Sequence, residues 1–119
     1  MSFGPFEFSS DDNQVLDNTI ISSGGRGILS IGNRNVIQGN TIDQSKKISG
    51  ISIGDDFEPV ASEGVIIKDN SITNSNGAGI EIVPGNLNTV VIGNTLAGNA
   101  DGNIDDQGDG TVEAGNIEL

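Results

Sequence analysis

Cysteine, histidine, tryptophan and tyrosine are all absent from this sequence, and its only aromatic residues are four phenylalanines. Without cysteine there are no disulfides, no thiolate metal site and no thiol nucleophile. Without histidine or tyrosine the chain also lacks two of the usual proton-transfer groups. Cations are scarce. Five Lys and Arg stand against 17 Asp and Glu in 119 residues, for a formal net charge of −12, so the surface repels nucleic acid and anionic membranes and neither is an expected partner. Arg26, Arg34, Lys46, Lys47 and Lys68 all fall between positions 26 and 68, and the eight acidic residues after Lys68 have no cation among them, which makes the C-terminal half an acidic surface. Long apolar runs are missing as well, none approaching the roughly 20 residues that span a bilayer. The opening "MSFGPFEF" does not have the basic-then-apolar order of a signal peptide. The sequence is equally consistent with a small complete protein and with a piece excised from a longer secreted one.

What the chain does have is repetition. "VLDNTI" at 15–20 returns as "IQGNTI" at 37–42, "IKDNSI" at 67–72 and "VIGNTL" at 91–96, with the recurrent Asn18, Asn40, Asn70 and Asn94 spaced by 22, 30 and 24 residues. Self-similarity at such a period marks a solenoid. A second signal follows each Asn: "GILSI" at 27–31, "GISI" at 50–53, "GIEI" at 79–82 and the degenerate "GNID" at 102–105. Each coil therefore has at least two short strands, because β-branched runs, 18 glycines and period-two alternation leave no room for helix. The 30-residue interval carries the extra "DDFEPVAS" at 55–62, expected to bulge outward as a loop.

Stacked coils of this kind form a parallel β-helix, with equivalent residues about 4.8 Å apart. Three interior stacks are predicted: Ile20, Ile42, Ile72 and Leu96; Val15, Ile37, Ile67 and Val91; Ile28, Ile51, Ile80 and Ile104. An Asn at a bend tolerates left-handed dihedrals, and identical amides one coil apart can bond each other. The four Asn are accordingly read as a structural ladder, the rival reading being a row of ligand-binding amides.

The repeated form V/I-x-D/G-N-T/S-I/L followed by G-I-x-I resembles the right-handed parallel β-helix superfamily, which includes pectate lyases, polygalacturonases, alginate epimerases and NosD-like repeat proteins. The likeness covers about residues 13–105 and is closest to the pectate-lyase-like and NosD-like coil repeat. It implies polysaccharide as the class of partner and an extracellular or periplasmic location, although some members are purely structural. Catalytic members have many more coils than the four seen here, or five if "VEAGNIEL" at 112–119 begins another. There Asn116 lies 22 residues after Asn94, but Ile117 directly follows it, so the pattern looks displaced by one.

Several residues are candidates for chemistry. Asp17 and Asp69 share the position before the ladder Asn and lie two coils apart, about 10 Å, a separation within the range for paired carboxylates acting on a glycoside. Asp beside a turn Asn is, however, more often solvated turn chemistry. A lyase-type base would have to come from the five cations, none of which sits in a catalytic signature of the superfamily. In "DDQGDGTVE" at 105–113, Asp105, Gln107, Asp109 and Glu113 follow the order of a calcium loop, with Gly110 placed for the sharp turn. Gln107 stands where a carboxylate is usual and Asn116 where a bidentate Glu would close an EF-hand loop. A weak calcium site and a solvated acidic end both fit. Phe3, Phe6 and Phe8 are expected to cap an end of the solenoid or to mediate self-association through it, and Phe57 is the one aromatic placed to touch a ligand.

The expected architecture is an all-β, short right-handed parallel β-helix of four to five coils with an Asn ladder. Residues 1–12 form an N-terminal cap or edge segment, 13–105 the coils, and 106–119 an acidic segment or partial last coil. The expected role is a non-catalytic module, structural or polysaccharide-associated. The alternative is the carbohydrate-binding part of a polysaccharide lyase, hydrolase or epimerase, or a small enzyme of that kind, with calcium as the one cofactor to consider.

Overall fold

A computed structural model describes residues 6–46, 48–54 and 61–119, with side chains from Ser10 onward. Short strands of two to four residues follow one another with a turn between each. The first coil holds β1 (Phe6–Ser9), β2 (Gln14–Leu16) and β3 (Thr19–Ile21). The second holds β4 (Ile28–Ile31), β5 (Val36–Gln38) and β6 (Thr41–Asp43), and the third β7 (Ile51–Ile53), β8 (Ile66–Lys68) and β9 (Ser71–Thr73). The fourth holds β10 (Ile80–Ile82), β11 (Val90–Ile92) and β12 (Thr95–Ala97), and the last β13 (Ile104–Asp106), β14 (Val112–Ala114) and β15 (Ile117–Glu118). After every three strands the chain has come full circle, and the next strand pairs in parallel with its equivalent one coil earlier. Three five-stranded parallel sheets result, β1-β4-β7-β10-β13, β2-β5-β8-β11-β14 and β3-β6-β9-β12-β15. This is a parallel β-helix, and its three-strand coil refines the expected minimum of two.

The extra strand arises because each "V-I-x-N-T-I" run bends in its middle. The residue before the ladder Asn takes a left-handed backbone, with φ of 54° at Asp17, 70° at Gly39, 55° at Asp69, 67° at Gly93 and 63° at Gly115. That conformation suits Gly and is tolerated by Asp, which explains why these two residue types share the position. The sequence reading had given the left-handed dihedral to the Asn itself. The corner instead places it one residue earlier, which turns the Asn side chain into the protein.

All three predicted stacks form in register. Ile20 lies over Ile42, Ile72 and Leu96 in turn, Val15 over Ile37, Ile67 and Val91, and Ile28 over Ile51, Ile80 and Ile104. A fourth column, Ser30, Ile53, Ile82 and Asp106, comes from the second inward position of G-I-x-I. The core is aliphatic and close-packed, with Ile20, Ile37, Ile42, Ile51, Ile53, Ile67, Ile72, Ile80, Ile82, Val91 and Leu96 all without solvent exposure. The Gly that opens G-I-x-I is needed for close approach. A Cβ at Gly50 would lie 2.4 Å from Cγ2 of Ile72 and 2.9 Å from the carbonyl oxygen of Gly79.

The Asn ladder is complete and longer than four. The oxygen of Asn70 accepts both the backbone N–H (2.9 Å) and the side-chain amide (3.0 Å) of Asn40. Asn70 in turn donates to Ile37 O and to Asn94 Oδ1, each at 3.0 Å. Asn94 repeats the pattern with Asn116, through backbone and side-chain nitrogens at 3.0 Å each, and Asn18 bonds Asn40 in the same way. Asn40, Asn70 and Asn94 are buried. A buried amide with every polar atom satisfied stabilises the corner, and the direct coil-to-coil bonds favour the structural ladder over a ligand-binding row.

Asn116 is a full rung, so the last coil is not displaced by one. Ile117 pairs with Thr95 on the outward side and Glu118 with Leu96 on the inward side. In the neighbouring sheet Val112 pairs with Val90 and Glu113 with Val91. The backbone register is kept while the in-and-out pattern of side chains is inverted. Ile117 and Val112 are 55% and 54% exposed as a consequence.

Candidate functional site

The acidic loop at the C-terminal end distributes its carboxylates instead of gathering them. Asp105 occupies the outward position of β13, paired with Glu81, whereas Asp106 takes the inward one above Ile82. The amide of Gln107 donates to both carboxylate oxygens of Asp105, at 3.4 and 3.3 Å, and therefore turns its nitrogen to that group. Asp106 Oδ1 accepts from Gly108 N (3.0 Å) and Thr111 Oγ1 (2.9 Å), which closes the turn. Asp109 joins the coil through its backbone, its N–H donating to Asn86 O and its carbonyl accepting from Asn88 N. Glu113 belongs to a different sheet, at an inward position. Burial raises its carboxyl above the usual carboxylate value, with the charges of Asp106 and Glu118 adding to the shift. Asp105 and Gln107 thus meet each other, whereas Glu113 lies on another sheet, and no set of three or more acidic side chains among the described residues is close enough to hold a metal ion.

Asp17 and Asp69 are likewise parts of corners. A Cβ added to Gly39 would lie 2.2 Å from Asp17 Oδ1, and one added to Gly93 would lie 2.4 Å from Asp69 Oδ1. Each carboxylate therefore leans over the Gly of the next coil, filling the space that a side chain there would need. Arg34 is taken up by an ion pair with Asp12, Nε to Oδ1 at 2.8 Å. Its side chain and that of Asp12 are 60% and 63% exposed, so the pair contributes little to stability. The hydrogen bond from Arg34 holds the Asp12 carboxyl below its usual range. Lys68 sits on the outward side of β8 in the column of Gln38 and Ile92. Lys47 and Phe57, with Asp55, Asp56, Glu58 and the rest of 55–60, lie outside the described residues, as do the side chains of Phe3, Phe6 and Phe8.

A second mixed-charge set among the described residues is absent from the sequence reading. On the outer side of the first sheet, Leu29, Ser52, Glu81 and Asp105 form one column across four coils. Arg26 reaches over it from the preceding turn, its Nε donating to Ser52 Oγ at 3.0 Å. The hydroxyls of Ser52 and Ser49 approach Glu81 Oε1 at 3.4 and 3.5 Å. Ser49 and Ser52 are buried, so their hydroxyls link the half-buried Arg26 and Glu81, and the guanidinium and carboxylate are the groups of this set that can hydrogen-bond a polyhydroxylated chain. The signal was present as the variable x of each G-I-x-I, which period two sends outward, but Arg26 comes from a turn with no repeat equivalent.

The family model described as right handed beta helix region matches residues 1–118. The chain belongs to the right-handed β-helix family. No curated protein and no solved structure matches it. Membership fixes the hand of the coil, and the right-handed β-helix it names agrees with the parallel register of all three sheets.

Proposed function

We propose that this chain is a non-catalytic β-helix module, a rigid scaffold whose outward faces and ends serve for association and not for bond-breaking chemistry. One observation carries the reading: several candidate residues among those described are occupied by contacts within the coils. Asp17 and Asp69 fill the corner above a Gly, Arg34 is paired with Asp12, Asp106 closes a turn, and the Asn row bonds itself from coil to coil. Incubation of the chain with polyuronates and neutral glucans is expected to release no oligosaccharide and no unsaturated product. Turnover above buffer, lost on Arg26→Ala, would replace this reading with an enzymatic one.

A second reading is favoured by the outer column of the first sheet. The half-buried Arg26 guanidinium and Glu81 carboxylate, tied together through the buried Ser52, suit a polysaccharide laid across the coils, which makes the module polysaccharide-associated. Retention on an immobilised acidic glycan that Arg26→Ala abolishes supports it; retention unchanged by that substitution, or none at all, rejects it.

A further inference from the structure

Each coil turns another corner after its third strand, and this corner repeats the chemistry of the Asn ladder only in part. A left-handed residue again precedes a polar one: Ser22 (φ 56°) before Ser23, Gln44 (61°) before Ser45, Asn74 (56°) before Ser75 and Gly98 (67°) before Asn99. The four polar residues stack, because β3, β6, β9 and β12 pair residue for residue up to the turn. Beyond it the backbone bonds alike in each coil, with Lys46 N donating to Ser23 O, Asn76 N to Ser45 O and Ala100 N to Ser75 O. Asn99 acts as a ladder residue. Its Oδ1 accepts from Ser75 N at 3.0 Å and its Nδ2 donates to Ile72 O at 3.3 Å, as Asn94 does with Asn70 N and Ile67 O.

Ser45 and Ser75 keep the place without the amide. They are 1% and 2% exposed, and neither hydroxyl has a hydrogen-bond partner. Ser23 differs, since its Oγ donates to Arg26 O at 2.8 Å. The carbonyls at the corresponding place in the next two coils, Ser49 O and Ala78 O, already accept from Gly27 N and Gly50 N. The Gly that opens each G-I-x-I lies against the column throughout. A Cβ at Gly27 would be 3.3 Å from Ser45 Oγ, one at Gly50 3.1 Å from Ser75 Oγ, and one at Gly79 2.8 Å from Asn99 Nδ2. The surroundings that hold an amide at 99 therefore recur at 75 and 45 around a smaller side chain. Serine Oγ stands where asparagine has Cγ, so the oxygen and nitrogen of the amide have no counterpart there.

From this geometry we infer that Ser45 and Ser75 each bind one internal water, which takes the part that the amide plays at Asn99. By the register of the third sheet, the water at Ser75 accepts from Ser45 N, donates to Ile42 O and bonds Ser75 Oγ. The water at Ser45 does the same with Ser23 N, Ile20 O and Ser45 Oγ. A buried hydroxyl left unbonded costs free energy, and an internal water typically relieves such a site by making about three hydrogen bonds. Three polar groups that need both a donor and an acceptor suit water. This corner is then a second ladder in which two rungs are exchangeable, beside an Asn ladder whose rungs are all covalent parts of the chain.

The test is oxygen-17 relaxation dispersion of water in solutions of the 119-residue chain, which counts internal waters that exchange slowly. Wild type is expected to show a dispersion. Ser75→Asn should lower its amplitude by the equivalent of one water and raise the melting temperature, because the new amide bonds the same groups without immobilising a water. Ser45→Asn should remove a second. A wild type with no dispersion, or an amplitude that a folded Ser75→Asn leaves unchanged, overturns the inference. If the Asn variants do not fold, the wild type decides through its proton spectra. Cross-relaxation from water to the amide protons of Ser45 and Ser23 is then the expected result, and its absence at both overturns the inference.

Discussion

The fourth and fifth coils share a backbone and differ in what they put inside it. Both have a left-handed Gly before a ladder Asn, Gly93 with Asn94 and Gly115 with Asn116, and both pair strand for strand. In the fourth, Val91 and Leu96 point inward and are fully buried. In the fifth, the same positions hold Glu113 and Glu118, while Val112 and Ile117 face outward. A slip of one residue would restore apolar residues to the inside of the last coil, since strand side chains alternate. It would also remove Asn116 from the ladder and Gly115 from its left-handed corner. Corner chemistry, not hydrophobic pattern, therefore sets the register at this end.

If the fourth coil is held by its core and the fifth by its corner, truncation of the same column should separate them. Ile80 and Ile104 are direct partners, but Ile80 has no exposure whereas Ile104 only packs against the edge of the core. Ile80→Ala is expected to lower the unfolding free energy by about 3–4 kcal/mol and Ile104→Ala by about 1 kcal/mol, read from denaturant midpoints. Equal losses would break the comparison, because they would show the last layer to be as tightly packed as its neighbour.

The ladder gives a contrast of the other kind. Asn70→Ala removes the acceptor for two nitrogens of Asn40 and the donor to Ile37 O, all of them buried, at an expected cost of about 3 kcal/mol. Asn116→Ala removes an equivalent set from Asn94 and Val91, but at a rung that water can reach, and about 1 kcal/mol is expected. Loss of amide protection confined to 104–118 in Asn116→Ala would sharpen the comparison further. It would show that the terminal coil opens alone when its corner fails.

Much of this architecture was legible in the sequence because the repeat encodes it twice, once in the Asn spacing and once in the aliphatic columns. Ile20, Ile37, Ile51 and their stack-mates could be placed from spacing alone. The last coil was misread as displaced because Ile117 and Glu118 invert the apolar alternation on which that reading leaned. The calcium-like order of Asp105, Gln107, Asp109 and Glu113 follows a linear spacing, whereas the β-helix turns a corner between Asp106 and Val112, which spacing alone does not reveal, and puts Asp105 and Glu113 on different sheets. The cluster of Arg26 with Ser52 and Glu81 was hidden for the opposite reason. Its members are 26 and 29 residues apart and meet only because coils stack.

The smallest expected effect concerns the sign of pH dependence at two corners of the molecule. Asp12, bonded to Arg34 in the first coil, has its carboxyl held below its ordinary value of 3.8. Its contribution is present above that unfolded value and is lost as pH falls through the lowered folded one. Glu113 in the last coil behaves in reverse. Its folded value is raised above 4.5 by burial, with Asp106 and Glu118 adding to it, so the folded state holds its proton more tightly than the unfolded chain does. Stability from this group is therefore missing at neutral pH, grows as pH falls through the raised value, and is complete below 4.5. Glu113→Gln should accordingly melt slightly higher than wild type at neutral pH, with the gap closing as pH approaches 4.5. A gap of constant size across that range would mean that the Gln side chain acts through packing, and that the carboxylate at the mouth of the core costs the fold nothing.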